Sequence, residues 1–376
     1  MHFGRRTISV LALAAVLAAI PAGAQKAPEA ANPEFDRLSK AATGARLENR
    51  TEESIGLYRQ ALTLRPTWTE GWWFLGELLY DESQYAEARD SLRQLIALDH
   101  NSGPGFALLG LCEFETKEYD KSLSHIYQAR RIGLGDDPQV KRVVLFHEVL
   151  LLTRIKEYEA AMQVLMGVVK EGGAGESVIE AAGLAGLRRP IFPEEVPPGD
   201  KDLIERAGRA VCAMARRDPG EAQKAFTELL AAYPNAPNVH YLYGSYLSAS
   251  DRDAGLQEYQ KELALNPKHA EALATIALEY EARGDLDTAI SYAKRAVEAD
   301  GQFFGTHAVL GKLLAGNGQV EQGIQELEIA RQQAPDSPQV HFSLATAYSL
   351  AGKKQEAAKE RAEFARLRKL ASEIGQ

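Results

Sequence analysis

Apolar and polar positions recur along this chain with a helical period. In the segment 270–300, Leu273, Ile276 and Tyr280 stand at i, i+3 and i+7, on one face of a helix. The small residue Ala277 follows Ile276, Gly284 marks a turn, and a second helical face runs from Ala289 to Ala296. A shift of 34 residues brings His307, Leu310, Gly311, Leu314, Gly318, Gly323 and Ala330 onto the same places, followed by Pro335. A second shift of 34 brings His341, Leu344, Ala345, Tyr348, Gly352, Ala357 and Phe364. Each unit therefore reads as two helices and a short turn. Small residues at fixed places let the two backbones approach closely. A proline near the end stops the second helix.

Earlier stretches fit the same frame. Segment 69–100 supplies Trp72, Leu75, Gly76, Leu79, Ala88, Leu92 and Leu95, and 103–134 supplies Phe106, Leu109, Gly110, Tyr119, Ser122, Ile126 and Ala129. Segments 35–66, 203–234 and 237–267 match more loosely; the last is one residue short in its turn and has Glu262 where a small residue is usual. In the unit around 138–168 the first helix is too long for the frame, and Glu148 falls where a buried Leu is due. These residues resemble the tetratricopeptide repeat family. Its 34-residue unit has a large apolar residue at position 4, Leu at 7, Gly or Ala at 8, Tyr at 11, Ala at 20, an aromatic at 24, Ala at 27 and Pro at 32. The resemblance covers most of the chain beyond residue 35. It implies an all-α, right-handed α-solenoid of about nine helix-turn-helix repeats.

The array is interrupted once. Gly172 to Gly175 ends a helix and Ser177 to Leu187 suits another. Pro190, Pro193, Pro197, Pro198 and Gly199 then forbid regular helix. Two readings stand: a linker between two solenoid halves, or an ordered loop lying in a groove or capping the first half, favoured by the apolar Ile191, Phe192 and Val196. The organisation is thus a signal peptide at 1–24, a disordered tail at 25–34, a first array at 35–172, an irregular helix and Pro-rich loop at 173–202, and a second array with a terminal capping helix at 203–376.

The leader rests on Arg5-Arg6, the apolar run Ile8 to Ile20 and the small residues of Ala22-Gly23-Ala24, a cleavable export signal. It places the protein outside the cytoplasm, periplasmic or secreted. No later segment reaches 18 uninterrupted apolar residues, so no integral membrane span is expected after cleavage. Loss of Arg5 and Arg6 takes 43 basic residues to 41 against 52 acidic ones, moving the net charge from −9 to −11. That balance excludes a nucleic-acid binder and docking on anionic membrane. Cys112 and Cys212, 100 residues apart and in no metal-ligand spacing, read as buried free thiols, with a disulfide as the alternative.

No catalytic constellation stands out. His147-Glu148 opens like a zinc-protease helix, but the i+4 residue is Leu151. No phosphate loop and no nucleophile elbow occurs. His240, His307 and His341 share the fourth position of their repeats; equivalent positions in stacked repeats stand roughly 8–10 Å apart, too far to share zinc. They read as packing histidines, and neither a metal nor a cofactor is expected.

The family resemblance implies a groove lined by positions 2, 5, 9, 12 and 13 of the first helices. Carried onto this chain, these positions give Trp73, Glu77, Tyr80, Asp81, Phe114, Glu115, Tyr241 and Phe342 as candidate partner-binding residues, with Ala107 and Leu111 beside them. Aromatics with acidic neighbours suit a peptide carrying basic residues. The Lys/Asn/Arg clamp by which some relatives hold acidic tails is missing. The reading is a non-catalytic interaction scaffold of the cell envelope holding a protein or peptide partner. One alternative is an enzyme, or enzyme accessory subunit, with a small-ligand pocket at the interruption near Phe192, His147 and Glu148; another is a fixed component of an envelope assembly.

Overall fold

A computed structural model describes residues 32–374, apart from 171, 173 and 174. The expected signal peptide, and the tail up to residue 31, lie outside the described residues. The tail assigned to 25–34 ends sooner than its sequence suggested. Helix α1 (Pro33–Leu47) begins at Pro33 because the Asn32 side chain accepts the N–H groups of Glu34 and Phe35, both at 3.2 Å.

The described residues form helices and no strands, in two compact units, Met1–Gly173 and Ala174–Gln376. The first unit continues with α2 (Thr51–Leu64), α3 (Thr69–Asp81), α4 (Tyr85–Leu98), α5 (Gly103–Glu115), α6 (Tyr119–Ile132), α7 (Pro138–Arg154) and α8 (Tyr158–Lys170). The second holds α9 (Glu176–Gly186), α10 (Lys201–Ala215), α11 (Pro219–Ala232), α12 (Val239–Leu247), α13 (Arg252–Leu265), α14 (Ala270–Ala282), α15 (Leu286–Ala299), α16 (Phe304–Gly316), α17 (Val320–Gln333), α18 (Pro338–Leu350) and α19 (Lys354–Ile374). Nine helix pairs and the additional α9 account for these elements. Within each unit, first helices also pack side by side, as α3, α5 and α7 do, and α14, α16 and α18. This is α-solenoid packing.

One backbone device ends nearly every first helix. The second residue after the helix adopts positive φ at Asn49, Ser83, Lys117, Lys156, Arg217, Gly284, Gly318 and Gly352. Its N–H turns back to the last helical carbonyls, as Lys117 does to Phe114 at 2.9 Å. Only the last three repeats use glycine, the residue that occupies this conformation without strain. The turn joining α12 to α13, expected to be one residue short, is one residue longer than the three-residue turns of the other pairs and lacks the device, because α12 itself stops early at Leu247.

Buried polar atoms at the helix crossings are satisfied across the pair. Ser54 Oγ donates to the Ala42 carbonyl at 2.9 Å and Ser122 Oγ to the Gly110 carbonyl at 2.7 Å. His240, His307 and His341 each bridge three segments. Their Nδ1 atoms meet Glu258, Glu326 and Glu360 on the second helix at 2.6, 2.6 and 2.5 Å. Their Nε2 atoms meet the carbonyls of Pro234, Gly301 and Pro335 at 2.9, 3.1 and 2.7 Å. Trp72 Nε1 donates to the Pro66 carbonyl at 2.8 Å in the same six-residue relation. These histidines are clasps, more than space-fillers.

The interruption is an incomplete repeat. Arg188 has positive φ and closes α9 as the other first helices close, but no second helix follows. The prolines allow only two short 3-10 turns, Pro193–Glu195 and Pro198–Asp200, which lie on α9 and α10. Phe192 and Val196 are buried, and the Phe192 N–H donates to Glu195 Oε2 at 2.7 Å. The segment is an ordered loop of its own hairpin. There α9 and α10 cross at van der Waals distance: a Cβ on Gly183 would stand 2.0 Å from the Ile204 carbonyl oxygen, and one on Gly208 1.8 Å from that of Ile179.

Candidate functional site on the first-helix face of the first unit

Helix α3 is rich in apolar residues, and Phe74, Leu75, Leu78 and Leu79 are buried. The residues left on its other face are Trp73, Glu77, Tyr80 and Asp81. Trp73 and Tyr80 are half-buried against the core, Glu77 is half-buried, and Asp81 is exposed. Glu77 and Asp81 are four residues apart, so their side chains lie side by side, about one turn along the helix. Among the described residues neither carboxylate has a hydrogen bond or an ion pair. Burial, with the Asp81 charge adding and Arg46 opposing, pushes the Glu77 carboxyl up to about 7. Burial and the neighbouring Glu82 push Asp81 up as well.

Beside them is a small apolar hollow, open in part to solvent. Tyr80 from α3, Pro104, Ala107, Leu108 and Leu111 from α5, and Gln139, Val140 and Val143 from α7 line it. Burial, then the charges of nearby acidic groups including Glu115 and Asp81, raise the Tyr80 hydroxyl well above the usual phenol range. The hollow exists because α5 carries the small residue Ala107 at its middle and α7 supplies short valines.

Six of the eight predicted residues fall in the first unit, and they do not form one continuous surface. Phe114 turns into the packing: its ring meets Tyr119 at 5.6 Å and His147 at 4.7 Å, edge to face. Glu115 is exposed. Tyr241 and Phe342 belong to the second unit. Phe342 is 57% exposed and meets Phe364 at 5.4 Å.

Tyr241 is engaged within the chain, in a polar cluster that the sequence did not reveal. Its hydroxyl accepts from Arg188 Nη2 at 3.1 Å, and its ring stacks on His269 at 4.8 Å. Arg188 also donates to Glu271 at 3.1 Å. Burial opposes ionisation of Glu271, but His269, the Arg188 charge and the backbone N–H outweigh it and hold the carboxyl at about 2. His269 Nδ1 stands 3.2 Å from the Ala272 nitrogen and 3.3 Å from Glu271. A neutral ring accepts the first contact; a protonated ring donates the second. Glu262, the residue that breaks the small-residue rule, is fully buried and accepts the N–H groups of Asn238 at 2.9 Å and Tyr241 at 3.3 Å. It caps the short α12 from the neighbouring helix.

The residues behind the small-ligand alternative have other partners. Glu148 is buried with Arg130 on one oxygen. His147 Nδ1 lies 2.7 Å from the Val143 carbonyl, and burial lowers the imidazole's affinity for a proton. Phe192 sits in the second unit. Cys112 and Cys212 are buried free thiols, the latter pushed up to about 11 by burial. No three His, Cys, Asp or Glu side chains converge as a metal site among the described residues.

Comparison with known proteins agrees with the repeat architecture. Two family models, both described as tetratricopeptide repeat, match the chain: one at 280–348, the other at 40–102, 209–249 and 245–302. The solved structures it is similar to include a MamA protein at 18% identity, over 46% of this chain and 93% of that one, with a TM-score of 0.38. They also include MamA 41-end from Desulfovibrio magneticus RS-1 at 20% identity, over 45% and 95%, with a TM-score of 0.37. Likeness at that level bears on neither role nor partner. Among curated proteins none matches. The family models span both units, and the helix pairs, their turns and their small-residue crossings recur with the same period; the chain belongs to the tetratricopeptide repeat family of protein-interaction scaffolds.

Proposed function

We propose that this protein is a non-catalytic scaffold of the cell envelope that holds a protein or peptide segment on the face formed by α3, α5 and α7. The observation that carries the reading is the juxtaposition of a small open apolar hollow with two carboxylates that form no ion pair within the described residues. An apolar hollow at the surface is a binding feature by default. Groups held against their own ionisation gather at functional sites, where a partner supplies what the fold withholds. Export rests on the leader pattern of residues 5–24, and no helix among the described residues is long and apolar enough to cross a membrane.

Photo-crosslinking tests the face. A photoreactive residue replaces the half-buried Val140 in one variant and exposed Lys121 in another, and both are expressed in the native host. The expected result is one discrete adduct from position 140, none from 121, and loss of the adduct when Val143→Arg is added at the rim of the hollow. Equal adducts from both positions, or an adduct indifferent to Val143→Arg, contradicts the assignment. Sequencing the mature N-terminus checks export: a start at Gln25 is expected, and a retained Met1 contradicts it.

A further inference from the structure

We infer that the segment held on this face presents one apolar side chain to the hollow and one lysine or arginine side chain to Glu77 and Asp81, an inference that rests on the reading just proposed. The hollow is lined by the side of Tyr80, by Leu108 and Leu111, and by Val140 and Val143. The hollow is small and open on one side, so it admits the end of one side chain, not a folded surface. Its lining carries no charge, so it selects an apolar group.

On α3 the charge next to it has one sign. Glu77 and Asp81 share a helix face and lie close enough for one ammonium or guanidinium to bridge both. Arg46, whose charge lowers the Glu77 carboxyl, lies over the Phe74 ring at 3.8 Å and forms no ion pair with either carboxylate. Glu82 adds negative charge at the end of α3. From α7 the hollow receives only Gln139, Val140 and Val143. An acidic segment would be repelled here. A purely apolar one would bury the two carboxylates further with nothing to pair them, a loss that exceeds the gain of filling the hollow. A cation reverses that balance.

Helix geometry bounds the spacing. Glu77 precedes Tyr80 by three residues on α3 and Asp81 follows it by one, so a cation bridging both lies within roughly 4.5 Å of Tyr80 along the axis. A bound helix spans that distance in three or four residues and an extended segment in one or two. The cation therefore stands no farther than that from the apolar anchor.

Selection from a random 12-residue peptide library on the full chain tests this. The expected outcome is enrichment of sequences pairing Leu, Ile, Met or Phe with Lys or Arg at one of those spacings. The best peptide then loses at least tenfold in affinity against Glu77→Gln/Asp81→Asn, and its affinity falls with added salt. Enriched apolar peptides without a basic residue, bound equally by the double variant, overturn the inference while leaving the groove in place. Enriched peptides indifferent to Val143→Arg show that the groove reading itself has failed. No enrichment over an uncoated surface overturns the inference too. Each variant is compared with wild type by circular dichroism and melting, and a variant that does not fold is replaced by Val140→Lys or by Asp81→Asn alone.

Discussion

The first-helix faces of the two units have been finished differently. In the second unit the charged groups close on one another. Lys312 pairs with Glu281 at 2.8 Å, Arg252 with Glu279 at 3.0 Å, Arg188 with Glu271 and Tyr241, and three histidines with three glutamates. In the first unit, charges also pair away from the face: Arg93 joins Glu113 and Glu118, and Arg130 joins one oxygen of Glu148. On the face, α3 leaves Glu77 and Asp81 alone beside an apolar hollow. On α3, two carboxylates raised by burial lie beside the hollow without an ion pair, and an outside cation would supply one. Interaction scaffolds of this kind trade local stability for a receptive surface.

The largest expected effect tests how tightly the second unit is closed. Gly208→Leu drives a side chain into the Ile179 carbonyl of α9, where even a methyl has no room. A loss of about 3 kcal/mol or more is expected, with α9 and α10 losing their hydrogen-exchange protection together. Retained protection would mean the crossing is looser than it looks.

Next in size is Arg188→Ala. It strips a buried cation from Glu271 and should cost about 3 kcal/mol, seen as faster exchange in α12 and α14 but not in α3. The Glu271 carboxyl lies below its ordinary value, so its contribution is present above about pH 4.5 and is lost as pH falls toward 2. The Arg188→Ala deficit should therefore shrink on acidification. A deficit that stays constant with pH would assign the effect to packing.

The helical period, the 34-residue phase and the small residues at crossings were all legible because they follow from packing rules that every repeat obeys. So were the turns at Gly284, Gly318 and Gly352. The same turns at Asn49, Ser83 and Lys117 were hidden, since a residue forced into positive φ by its helix end carries no compositional mark. Arg188 was hidden for that reason and one more: its partners Tyr241 and Glu271 lie 53 and 83 residues away, a pairing only the fold creates. Glu262 was visible as an exception but not as a cap. On the candidate face, the frame located Trp73, Glu77, Tyr80 and Asp81. It did not reveal that α7, with its longer first helix, supplies Val140 and Val143 to complete the hollow, nor that Phe114 and Tyr241 are taken up by neighbours.

The most direct measurement concerns Glu77. Its carboxyl is held near 7 against an ordinary value of 4.5, so the native state is favoured by the protonated group below about pH 4.5 and loses that advantage as pH rises through 7. Glutamine keeps the shape and removes the charge. All three tryptophans, Trp68, Trp72 and Trp73, lie in the first unit, so urea unfolding followed by tryptophan fluorescence reports on that unit alone. Glu77→Gln is predicted to raise the stability read from the unfolding midpoint at pH 8, by on the order of 1 kcal/mol once partial exposure is allowed for, and to leave it nearly unchanged at pH 4. A midpoint that is unchanged or lower at pH 8 would contradict the account, because it would mean that Glu77 already has its partner within the chain.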